Sequence, residues 1–206
     1  MKKTQLKNLA PGTAIVYRER AAVVLEHTGR GVFVQLTDSL GDFEFGSGND
    51  WRHSSLRGYL NDEGARMITD GNLDDLLDTV TDLTALNGTA DYGSSTDKVT
   101  LLTLDQCRKY RYIRPLHDNG EWTSTPASTP EGWDEEARYV VCLNTNGNIS
   151  YNGASVTYGA RPALTLPSDL TVDVPGGLED YTDSDLLMEL LQRRKQQIKK
   201  ERTTPC

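Results

Sequence analysis

A chain of 206 residues with 36% hydrophobic and 25% charged side chains has room for one sizeable domain and an appendage, not for two full domains. Its formal net charge of −8 disfavours a phosphate-tracking surface, so nucleic-acid or anionic-membrane binding is not expected. No apolar run approaches the length a bilayer requires, and MKKTQLKNLAPG lacks the apolar stretch of a secretory signal. Three cysteines, Cys107, Cys142 and Cys206, without C-x-x-C spacing argue against a disulfide framework or a zinc site, and reduced thiols in the cytoplasm are the expectation.

Residues 14–36 hold three apolar runs, AIVY, AAVVL and VFVQL, separated by charged RER and by HTGRG, which predicts two or three antiparallel strands. After the glycine-rich DSLGDFEFGSGND comes WRHSSLRGYLN, where Leu56, Tyr59 and Leu60 share a helical face behind a cap at Ser54 or Ser55. Between Asn61 and Lys98 only LDDLLDTV, residues 73–80, is helix-like. KVTLLTL then reads as a buried strand, and TLDQCRKY opens a second helix, because Thr103 and Gln106 have capping-box spacing.

Trp122 sits in a short strand candidate before the loop STPASTPEGWD. Two Asn-Gly pairs, Asn146-Gly147 and Asn152-Gly153, then predict type I′ turns joining three neighbouring strands over 138–145, 148–151 and 155–166. The last contains VTYGARPALTL, whose Gly159, Ala160, Arg161 and Pro162 interrupt the strand pattern. Residues 173–182 read as a linker, and 183–206 as an amphipathic helix with a basic tail, whose leucine stripe needs cover from the domain or from another copy.

The run WRHSSLRGYLN, TDKVTLLTLDQ, EWTSTP, NGNISYNG and YGARPALTL resembles a bacterial and phage domain family of unknown function that ends in a Gly-x-Arg-Pro-Ala-Leu strand. That family is similar to the C-type-lectin-like fold of formylglycine-generating enzymes and of the variable proteins of diversity-generating retroelements. The resemblance implies an α+β, C-type-lectin-like domain over 1–172, with mostly antiparallel strands, two short helices and long loops. It also implies paired terminal strands, and a last strand running beneath loops that display a binding surface. Arg161 is then expected to be structural, tying loop carbonyls or a carboxylate, and Pro162, which has no N–H, to occupy a ladder edge or a position whose N–H would face away.

The segment 139–158 interleaves Tyr139, Asn144, Asn148, Ser150, Tyr151, Ser155 and Tyr158, a paratope-like mixture of rigid aromatic and adaptable polar groups. With Trp133, these are the candidate ligand-binding residues, while Trp51 and Trp122 are expected in the core. The implied function is a non-enzymatic module for a protein or glycan, as a retroelement variable protein or a virion-associated product. The alternatives are an enzyme or metal-dependent relative of formylglycine-generating enzymes, and an intracellular assembly component joined through the C-terminal helix. Cys142 has no cysteine nearby in sequence, and His27, His53 and His117 are scattered, so no catalytic residue, metal or cofactor is assigned. The acidic loops, Asp38 to Asp50 and Asp91 to Asp97, lack an EF-hand register.

Overall fold

Every apolar run of the N-terminal third becomes a strand in the computed structural model, which describes residues 1–115 and 119–176. His117, most of the expected linker and the expected C-terminal helix lie outside the described residues. β1 (Lys2–Gln5) is followed by β2 (Ala14–Tyr17), β3 (Arg20–His27) and β4 (Val32–Leu36). Tyr17 pairs with Arg20, so Arg18 and Glu19 alone make the turn, at φ 48° and 63°. Positive φ at both positions matches strand twist, and Arg18 is held there by a 2.8 Å bond to Asp75 Oδ2.

The middle of the chain holds β5 (Asp42–Glu44), α1 (Ser55–Leu60), α2 (Glu63–Thr69), β6 (Thr79–Asp82), β7 (Ser94–Asp97), β8 (Val99–Thr100) and α3 (Leu104–Lys109). Ser54 caps α1, its Oγ accepting from the Arg57 N–H at 3.2 Å. Thr103 and Gln106 close a capping box on α3, with bonds of 3.2 and 2.9 Å. LDDLLDTV is not a helix: a single 3-10 turn, Leu73–Asp75, gives way to extended chain. The Leu77 N–H reaches the Thr165 carbonyl at 2.9 Å, and burial of Leu76 and Thr79 against the sheet overrides the helical spacing. The stretch that carries no clear period thus contains one short helix and a hairpin.

The last third comprises β9 (Glu121–Pro126), β10 (Tyr139–Leu143), β11 (Ile149–Gly153), β12 (Thr157–Gly159), β13 (Ala163–Leu166) and β14 (Thr171–Val174). The fold is α+β, with nearly all strands antiparallel. One sheet has the order β1-β14-β2-β3-β4-β13-β8, a second β11-β10-β9-β12-β5, and β6 and β7 form a separate hairpin. The parallel exception is the single pairing of Gly159 with Glu121. Lys2 to Gln5 pair antiparallel with Val174 to Thr171, so the two ends of the described domain close on each other.

The expected three-strand meander is corrected in two places. Gly147 alone of the first Asn-Gly pair has positive φ, 77°, and the Gly147 N–H bonds Asn144 O at 2.8 Å, so the hairpin turn is wider than type I′. Asn152 and Gly153 lie within β11, and the chain turns after them, where the Val156 N–H bonds Gly153 O at 3.0 Å. The expected strand 155–166 is two strands in different sheets: β12 lies between β9 and β5, and β13 between β4 and β8. VTYGARPALTL is therefore a crossing. Pro162 stands opposite Leu36 in the continued register of β13 and β4: its carbonyl accepts from the Leu36 N–H at 2.9 Å, and the Leu36 carbonyl that its missing N–H cannot reach accepts instead from Arg161 Nε at 3.3 Å.

The main core joins the two larger sheets, with two smaller apolar clusters beside it. Val24, Val34 and Leu164 meet Trp122, Val140 and Cys142, with Phe45, Trp51, Leu56 and Leu60 packed among them. Trp51 and Trp122 are both buried, their indole N–H groups donating to Asp97 Oδ2 at 2.9 Å and to the Phe43 carbonyl at 2.8 Å.

Candidate functional site: an aromatic cluster on a braced loop

Beneath the crossing lies a buried ionic cluster. Arg161, 1% exposed, donates from Nη1 to Glu121 Oε2 at 3.2 Å and to the Pro115 carbonyl at 3.0 Å, and from Nε to the Leu36 carbonyl at 3.3 Å. Arg114 donates to the other Glu121 oxygen and, through Nε, to Gln35 Oε1 at 3.0 Å. Two guanidinium groups thus share one carboxylate, and Arg161 Nη2 has no acceptor among the described residues. Burial lowers the pKa of Arg114, and that of Arg161 to about 10, which leaves Arg161 charged at neutral pH. This cluster ties β4, β9, the crossing and the end of the α3 segment together.

Above it, the loop between β9 and β10 is held by a second polar hub. Asn49, fully buried, donates from Nδ2 to Ser128 O (2.8 Å), Asp134 Oδ2 (2.9 Å) and Tyr139 O (3.1 Å), and its Oδ1 accepts from the Tyr92 hydroxyl at 2.8 Å. Asp134 Oδ2 also accepts the Arg138 and Tyr139 backbone N–H groups at 2.8 and 2.7 Å. Ser128 Oγ accepts from Asn87 Nδ2 at 2.8 Å and from the Trp133 N–H at 3.0 Å. Gly132 is required here: a Cβ would lie 2.3 Å from Ser128 Oγ and 2.5 Å from Asn87 Nδ2.

Burial and nearby carboxylates raise the Tyr92 pKa to about 12. Because the folded state holds this proton more tightly than the unfolded chain, the associated stability is complete below pH 10 and is lost as pH rises towards 12. Urea unfolding at pH 8 and pH 11 should show wild type losing more stability across that interval than Tyr92→Phe. Equal losses would refute the assignment.

The braced loop presents Trp133, 50% exposed, against Tyr151, 49% exposed, and half-buried Tyr139. Ring centroids are 5.9 Å apart for Trp133 and Tyr139, 5.7 Å for Trp133 and Tyr151, and 5.7 Å for Tyr139 and Tyr151. The Arg138 guanidinium lies 5.6 Å from the Tyr139 ring. Strand register explains the grouping, since Tyr139, Val141 and Leu143 of β10 share a face with Tyr151 and Ile149 of β11.

The same alternation divides the candidate set. Ser150 lies on the opposite face, opposite Cys142. Tyr158 is on β12, packed on Trp122 at 4.8 Å and accepting from Asn152 Nδ2 at 2.6 Å. Asn144 and Asn148 sit at the exposed hairpin tip, joined by a 2.9 Å backbone bond, and Ser155 lies in the exposed turn after β11. The eight residues do not form one surface; Trp133, Tyr139 and Tyr151 do.

Sequence reasoning does not find Asn49, Asp134, Glu121, Arg114 or Gln35. A buried Asn in a glycine-rich loop has no periodic signature, and the one available signal for Glu121 is an acidic residue directly before a core tryptophan. Burial raises the pKa of both Cys107 and Cys142, so neither thiol is primed as a nucleophile. No group of three or more His, Cys, Asp or Glu residues suited to a metal occurs among the described residues, and no helix among them is long and apolar enough to cross a membrane. No family model, curated protein or solved structure matches the chain.

Proposed function

We propose that the chain is a non-enzymatic, C-type-lectin-like binding module that offers the Trp133, Tyr139 and Tyr151 cluster to a protein or glycan, as a variable protein of a retroelement or phage would. The observation that carries this reading is the cluster itself: Trp133 on a loop whose backbone is fixed by buried Asn49 and Asp134, packed against half-exposed Tyr151 of β11 with Tyr139 of β10 behind them. Large apolar area on a rigid support binds at low ordering cost. Closure of the domain by β1 and β14, and the buried Arg161 under the crossing, fit the lectin-like reading. A reverse transcriptase and an adenine-biased template repeat beside the coding sequence are the signs of a diversified copy.

Selection of ligands from peptide-display and glycan libraries on the whole chain tests the proposal. Selected ligands should bind Trp133→Ala and Tyr151→Ala about thirtyfold more weakly, as hot-spot aromatics do. They should bind Ser150→Ala, on the other face, as tightly as wild type. Ligands indifferent to Trp133 and Tyr151 would overturn the reading.

A further inference from the structure

We propose, on the reading that the aromatic cluster receives a ligand, that the ligand is an extended acidic peptide that adds a strand to β11. One apolar side chain of the peptide rests on Trp133 and Tyr151, and a carboxylate four residues away enters a groove bordered by Arg108 and Arg111.

The edge comes first. Among the described residues β11 is the outermost strand of its sheet, paired with β10 alone. The Asn144 N–H bonds Asn148 O at one end of the hairpin, and the Ala154 N–H bonds Arg138 O at the other, so even-numbered residues of β11 turn their backbone groups towards β10. Ile149, Tyr151 and Gly153 therefore aim their N–H groups away from the sheet. The Gly153 carbonyl is taken by Val156, and those of Ile149 and Tyr151 have no backbone partner among the described residues. Natural proteins blunt open edges with charge, proline or cover; this one instead exposes Ile149 and Tyr151. A peptide laid along it gains main-chain bonds and, opposite Gly153 and beside Tyr151, a side chain on the aromatic face.

Charge supplies the second element. Following the same face from Tyr139 to Leu143 covers four residues, or ~13 Å, and ends at a cavity of about 330 Å³ between α3 and the hairpin tip. Its floor includes Leu104 and Leu143, and its rim Asn148, Ile149, Arg108 and Arg111. The chain carries a net charge of −8, yet this rim is cationic. Arg108 has a surface partner in Asp105 at 2.9 Å. Arg111 lies 5.8 Å from the Tyr112 ring and has no carboxylate partner among the described residues. Side chains on one face of a strand recur every second residue, so an apolar anchor over the cluster and an acid at the groove are four positions apart.

The probes are acetyl-Thr-Trp-Thr-Val-Thr-Glu-Thr-amide and its reversed sequence, titrated calorimetrically into the whole chain, since an added strand can run in either direction. One of them should bind. Replacing its Glu with Gln should weaken binding about fivefold, and this difference should vanish in Arg108→Gln/Arg111→Gln. N-methylation at alternate amides should abolish binding in one phase and be tolerated in the other, because only one edge of the peptide faces β11.

The inference is overturned if both N-methylated peptides bind like the parent, if the Gln peptide binds as tightly, or if neither probe binds at about 1 mM. A β11-mediated dimer that the peptide does not dissociate also overturns it, by giving the edge to a second copy. In each of these cases, display-selected ligands that still depend on Trp133 leave the binding-module reading standing. Ligands independent of Trp133 remove both.

Discussion

Glu121→Ala is expected to be the most destabilising single substitution in the described fold, costing at least ~3–5 kcal/mol in urea unfolding, because it leaves two buried guanidinium groups without their shared carboxylate. That is a large part of the ~5–15 kcal/mol available to a whole domain. Glu121 is 4% exposed and Arg114 7% exposed, so water cannot replace the lost partner. Arg161→Ala removes one of the two cations and relieves their mutual repulsion, but it strands the Leu36 and Pro115 carbonyls. Its cost should fall within ~3–5 kcal/mol and below that of Glu121→Ala. A double-mutant cycle between Glu121 and Arg161 should return ~1–3 kcal/mol of coupling. Losses of less than ~1 kcal/mol for both variants would show that the cluster is not what joins the sheets.

The depressed pKa of Arg161 shows what the cluster must withstand. Its folded value of about 10 lies below the ordinary guanidinium range, so this group's contribution to the folded state is complete only in strong alkali and is lost as pH falls through 10. At neutral pH the guanidinium is held charged against burial by Glu121 and two carbonyls. A leucine or methionine at this position would avoid that cost, but could not bond the Leu36 and Pro115 carbonyls across the point where β12 leaves one sheet and β13 enters the other.

Local chemistry accounts for what the sequence makes legible. The AIVY, AAVVL and VFVQL runs, the Ser54 cap and the Thr103 and Gln106 box are decided within a few residues of themselves, and each forms as its pattern predicts. LDDLLDTV misleads because its helical spacing competes with a sheet more than eighty residues away in sequence, where Thr79 Oγ1 meets Thr165 Oγ1 at 2.8 Å. The second Asn-Gly pair misleads for the same reason, since pairing of Asn152 with Val140 holds it in a strand. Arg161 and Pro162 announce an interruption, but only the partners at Leu36, Pro115 and Glu121 reveal a sheet crossing. Composition brings eight candidate residues together on paper; the two-residue period of β10 and β11 separates Ser150 from Tyr151. Asn49 and Asp134, which hold the loop, lie 85 residues apart and carry no signal in either neighbourhood.

Asp134→Ala should act on both stability and recognition without altering any of the three aromatic side chains chemically. The Asp134 carboxylate accepts from Asn49 Nδ2 and from the N–H groups of Arg138 and Tyr139, and it is 3% exposed, so its loss strands three donors in a buried setting. A charged acceptor of this kind is worth ~3 kcal/mol. The freed backbone runs from Trp133 to Tyr139, which makes two of the three rings mobile relative to Tyr151. Ligand affinity should then fall about tenfold or more, because the ordering previously built into the loop must occur on binding. Hydrogen exchange separates this from global weakening: protection should be lost at the Arg138 and Tyr139 amides and through 128–139, while β3 and β4 stay protected. Asp134→Asn keeps one acceptor oxygen and should fall between wild type and Ala on both measures. Unchanged exchange at Tyr139 in Asp134→Ala would mean that the loop is rigid for another reason, and the affinity loss should then disappear with it.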